Sequence, residues 1–123
     1  MNLPALIHIA ETIVNSTRRE LPAPLQELAN ALPVAFHGKP TPEILADEFE
    51  PDILGLFVGR PHGDDQGDSN DVPAQIHLFI LNIWEFAQDE DTTFEDEISI
   101  TYLHELGHYF GWDEEDLEAR GLE

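Results

Sequence analysis

The sequence predicts an α+β fold, in which a small sheet packs against a C-terminal helix and helices near the N-terminus, within one domain over residues 1–123. Three observations predict it. Apolar residues recur at helical spacing towards both ends of the chain, and two short apolar runs in the middle are bounded by turn residues. The hydrophobic content, 41% of 123 residues, suits one ordinary core.

Between Ala5 and Leu21, Leu6, Ile9, Ile13 and Val14 form one helical stripe, closed by Thr17 to Glu20 ahead of Pro22. Pro24 opens a shorter second helix, with Leu25, Leu28, Ala29 and Leu32 inward and Pro33 as its stop. Val34 to His37 reads as a short strand before the Gly38-Lys39-Pro40 turn, and Pro42 to Phe49 holds one or two helical turns. Ile53 to Gly59 is a buried-strand pattern, and Gln75 to Leu81 is a second. The loop between them, His62 to Pro73, implies that these two strands pair antiparallel. Trp84 to Gln88 is a further short helical segment.

A last helix is expected from Phe94, capped by Thr93 or Asp96, with acidic residues in its first turn where the helix dipole favours them. Ile98, Tyr102, Leu106 and Tyr109 line one side, and Ile100, Leu103 and Phe110 fill much of the rest, so this helix should be enclosed on most sides. Gly111 ends it, because glycine takes the left-handed conformation that reverses a chain at a helix C-terminus.

Charge and composition exclude several function classes. Five basic residues against 26 acidic ones give a net charge of −21, which repels phosphate backbones and anionic bilayers, so neither nucleic acid nor membrane is an expected partner. No apolar stretch is long enough to span a bilayer, and residues 1–10 lack a basic segment ahead of a long apolar run, so a cytoplasmic location is expected. With no cysteine, thiolate ligation is ruled out and a metal must be held by His, Asp or Glu.

The candidate chemistry lies in His104-Glu105-Leu106-Gly107-His108. Residues four apart on a helix project from one face, so His104 and His108 are placed to grip one ion. Glu105, beside them, is placed to act on a water without being a ligand, which is the division of labour that metal-assisted hydrolysis requires. A catalytic zinc keeps three protein ligands and an open position. Fifteen residues follow His108, and the turn at Gly111 points to a third ligand in this tail: Glu114, ten positions after His104, with Asp113 its near rival and Glu115 and Asp116 weaker ones.

His-Glu-x-x-His-x-x-Gly-x-x-acid near the C-terminus resembles the minimal zincin family of small bacterial zinc metallopeptidases. The resemblance extends from about Leu6 to Leu122, through the helix ending Arg18-Arg19-Glu20-Leu21-Pro22, the Val34 to His37 segment, Leu54 to Gly59, and Ile76 to Leu81. It implies a compact zincin-like fold with a small mixed sheet and an active-site helix. It further implies Zn²⁺ held by His104, His108 and Glu114, Glu105 as general base, and a peptide or protein as substrate. Family members commonly carry Asp at the last position, so Glu114 and Asp113 both stand as candidates. Metzincins, which share the glycine, are excluded: position 114 is not His, and Met1 is the only methionine.

Other residues carry weaker signals. Tyr102 and Tyr109 are read as core or rim aromatics ahead of an oxyanion-binding role, and His77 as an ordinary strand histidine that faces either the site or the far side of the sheet. The Asp64 to Asp71 loop fits no calcium-loop spacing and is read as a substrate-gating loop, while His8 and His37 give no signal. Gln75 to Leu81 is the strand expected to pair with an extended substrate. Two rival functions remain, a metal-binding protein of the same fold without peptidase activity and an acidic interaction module for a basic partner.

Overall fold

The computed structural model describes residues 2–46, 49–59, 74–88, 90–111 and 115. The first helix, α1 (Leu3–Arg19), begins two residues before the apolar stripe suggests, because the Asn2 side chain caps it by accepting from the Ala5 amide at 3.0 Å. Leu6, Ala10 and Val14 bury its inner face, and Arg18 and Arg19 sit in the last turn, where the helix dipole favours positive charge. Next come α2 (Ala23–Ala31), β1 (Val34–His37) and the single-turn α3 (Pro42–Leu45). Then follow β2 (Gly55–Val58), β3 (Gln75–Phe79), α4 (Ile80–Phe86) and α5 (Asp91–Tyr109).

The sheet is mixed, in the order β1-β3-β2. β2 runs antiparallel to β3, with Leu56 opposite His77, and β1 runs parallel to it, with Ala35 opposite His77. This α+β arrangement is the predicted one, including the antiparallel pairing of the two apolar strands. The second of those strands ends two residues earlier than its hydrophobicity suggests. At Ile80 the chain turns directly into α4, held there by the Leu81 amide donating to the Gly38 carbonyl at 3.0 Å. The buried Asn82 amide donates to the carbonyls of Pro51 and Ile53 at 2.8 and 2.9 Å, and its oxygen accepts from Lys39 Nζ at 3.0 Å. One amide thus ties α4 to the segment that leads into β2.

Side chains alternate across the strands and so divide the sheet into two faces. Ile76 and Leu78 face the helices and join one core cluster with Leu6, Ala10, Val14, Ala29, Ile83, Phe94, Ile98, Tyr102 and Leu106. The last helix starts at Asp91, earlier than its periodicity indicates, and neither expected residue caps it. The Phe94 amide bonds to the Glu90 carbonyl at 2.8 Å, and the Thr93 hydroxyl donates to the Glu90 carboxylate at 3.1 Å. Phe94 is fully buried edge-on against Trp84, which fixes α5 to α4. Enclosure of α5 is less complete than its composition suggests, since Ile100 reaches the surface. Its end agrees with expectation: Gly111 takes φ +86° and donates to the His108 carbonyl at 3.0 Å. Among the described residues, no helix is long and apolar enough to cross a membrane.

Candidate metal centre and its cleft

Helix α5 has two jobs on opposite sides. Tyr102 and Leu106 are fully buried against α1 and the sheet, and the residues between and beyond them, His104, Glu105 and His108, are half-buried on the outward side. Tyr102 is therefore a core residue: its hydroxyl accepts from Arg18 Nε at 3.0 Å, and burial raises its pKa against the opposing pull of Arg18. Tyr109 packs on Phe57 with ring centroids 5.8 Å apart.

His104 Nε2 and His108 Nε2 stand 3.3 Å apart, with the rings nearly perpendicular at 81°. Two nitrogens at about 2.0–2.1 Å from one tetrahedral ion would be separated by about 3.3–3.4 Å, so the pair has the spacing of two zinc ligands. The same separation is long for an N–H···N hydrogen bond, whose usual range ends at about 3.2 Å. The Glu105 carboxylate belongs to the same group: one ligand atom from each of His104, Glu105 and His108 lies within 4.8 Å of the others. The two imidazoles suit zinc in chemistry as well as spacing, and the Glu105 carboxylate beside them is placed as a base. Glu114, Asp113 and Asp116 lie outside the described residues, and Glu115 is exposed.

Strand β2 forms the wall beside this group. A Cβ on Gly55 would stand 2.8 Å from the Thr101 methyl and 3.3 Å from Glu105 Cγ, so only glycine lets the strand approach α5 this closely. Phe57, two residues on, meets Tyr109, so β2 runs along α5 in the same direction. A cavity of about 360 Å³ opens between them, bordered by His104 and Glu105 together with Ile53, Leu54, Phe86 and Glu97. His104 and Glu105 are therefore open to water on this side. The spacing of Glu97, Thr101 and His104 along one helix face was readable in the sequence; the contributions of Ile53, Leu54, Gly55 and Phe86 had no local signal.

The structure corrects one expectation about the strands and decides between the two faces open to His77. β3 is the central strand, with β1 on one side and β2 on the other, so Gln75 to Phe79 cannot pair with a substrate. Among the described residues, β2 has the open edge beside α5. His77 projects from the sheet face opposite the metal centre, because it alternates with the core residues Ile76 and Leu78. There its Nδ1 lies 2.8 Å from Nε2 of His37, a hydrogen-bond distance too short for two ligands of one tetrahedral ion. Burial lowers both pKa values, and for His77 repulsion from His37 lowers it further. The Asp64 to Asp71 loop and His62 lie outside the described residues.

Compared with known proteins, the chain matches the zincin-like metallopeptidase family over residues 29–122, most of its length, and it belongs to that family. No curated protein matches it.

Proposed function

We propose that this zincin-like metallopeptidase hydrolyses peptide bonds in a zinc-dependent reaction. The supporting observation is the convergence of His104 Nε2 and His108 Nε2 at 3.3 Å, with the Glu105 carboxylate in the same group and an open cavity alongside. His104 and His108 would hold the zinc, with Glu114 as third ligand and Asp113 as its rival. Zinc bound there supplies Lewis acidity, lowering the pKa of a water to about 7 and polarising the scissile carbonyl. Glu105 accepts the proton of the attacking water and returns it to the leaving amine, so one carboxylate serves as base and then as acid. The open edge of β2 offers backbone groups to an extended peptide, by the mode in which a segment adds to a sheet edge. Gly55, by keeping β2 against α5, sets how close such a peptide lies to Glu105.

The test is Glu105→Gln, which is expected to keep zinc stoichiometry while peptide turnover falls by about 10²–10⁴-fold. Retained turnover removes Glu105 from its role. Zinc titration by calorimetry on wild type, Glu114→Ala and Asp113→Ala assigns the third ligand: the variant that loses affinity identifies it. Zinc binding without cleavage of any member of a broad peptide panel favours the metal-binding protein over the peptidase.

A further inference from the structure

Resting on the hydrolase reading, we propose that the cavity beside His104 and Glu105 is a subsite for a lysine or arginine side chain of the substrate, flanking the bond that is cut, with Glu97 receiving its charge. The cavity combines apolar walls, from Ile53, Leu54, Phe86 and Ile100, with the carboxylate of Glu97. Phe86 and Ile100, 60% and 39% exposed, are two of the few large apolar side chains the described surface leaves uncovered. Glu97 lies seven residues before His104 on the same helix, about 10 Å back along the axis.

A short side chain entering beside His104 would not reach that carboxylate. A long aliphatic one would bring methyl groups against it and strip it of water, which costs free energy. Lysine and arginine satisfy both ends, since their methylene stems cover apolar surface while the charged head stays with a polar partner. An adjoining hollow of about 230 Å³ shares Leu54 and Phe86 and adds Asp52, Asn82 and Glu85. Glu85 is already engaged by Lys39 at 3.2 Å, whereas Glu97 borders the same cavity as His104 and Glu105. Among the described residues, no Lys or Arg borders the cavity beside His104. The net charge of −21 acts in the same sense at long range by attracting cationic peptides.

The experiment uses peptides identical except for Lys, norleucine or Glu at the positions flanking the cut. Binding is measured by calorimetry on zinc-loaded Glu105→Gln protein, and cleavage is measured on wild type. Lysine is expected to bind about three- to fivefold more tightly than norleucine, the scale of a partly exposed ion pair, with Glu weakest. Adding Glu97→Gln should bring the lysine-to-norleucine ratio to about one, and Glu97→Lys should turn the preference towards Glu. Norleucine binding as tightly as lysine, a ratio that survives Glu97→Gln, or no binding by any peptide overturns the subsite. Lysine-selective binding without cleavage by wild type sinks the hydrolase reading and leaves the subsite standing. Cleavage without preference does the reverse.

Discussion

Gly55 carries more of this site than its size suggests. Its absent Cβ is the space in which β2 meets Thr101 and Glu105, and a methyl group there would stand 2.8 Å from the Thr101 side chain. Gly55→Ala should therefore destabilise the protein by about 1–3 kcal/mol, the usual cost of overpacking. Turnover should fall beyond what the lost stability explains, because the strand moves away from Glu105. Denaturant midpoints with activity measured well below the transition check both; an unchanged midpoint would mean that β2 does not pack this closely. His104, Glu105 and His108 are legible without any structure, since a four-residue interval on a helix is a local fact. Gly55 is not, because its requirement comes from Thr101, 46 residues away in sequence.

At the scale of elements, the cross-strand pair of His37 in β1 and His77 in β3 makes stability depend on pH. Burial holds both pKa values below 6.5, so between the folded and unfolded values the unfolded chain binds more protons. Stability contributed by the pair is complete above the unfolded pKa of about 6.5 and declines as pH falls through it. Unfolding free energies from denaturant titrations at pH 7.5 and 5.5 should show wild type losing more stability on acidification than a His37→Gln/His77→Gln variant. Equal losses would contradict the burial argument. Sequence placed these strands correctly but gave His37 no role, because the parallel pairing that brings it to His77 joins residues 40 apart. β3 ends before its apolar run does for a related reason: Ile80 and Leu81 look like strand continuation, yet the Leu81 amide is claimed by Gly38 and the buried Asn82 by Pro51 and Ile53.

For the molecule as a whole, 26 acidic residues against five basic ones mean that folding gathers unneutralised charge into a smaller volume. Self-repulsion of this kind is screened by salt. The melting temperature at neutral pH should therefore rise as NaCl increases from about 20 mM to about 300 mM, where the Debye length shortens from about 20 Å to below 8 Å. A flat or falling trend in differential scanning calorimetry would show that the acidic surface is already neutralised. The same screening should weaken the selectivity proposed for Glu97, so salt should act in opposite directions on stability and on discrimination among peptides.

The chain by itself determined the secondary-structure types, the antiparallel pairing of the two apolar strands, the face shared by His104 and His108, and the bend at Gly111. Each depends on interactions within a few residues or across one loop, where periodicity and backbone preference suffice. Tertiary structure alone decided that β2, not β3, lies at the sheet edge beside α5, that His77 turns away from the metal centre, and that Ile53, Leu54 and Phe86 meet Glu97 around one cavity. Those outcomes follow from strand order and from helix packing on the sheet, which join distant segments through burial of a common core that no local pattern encodes.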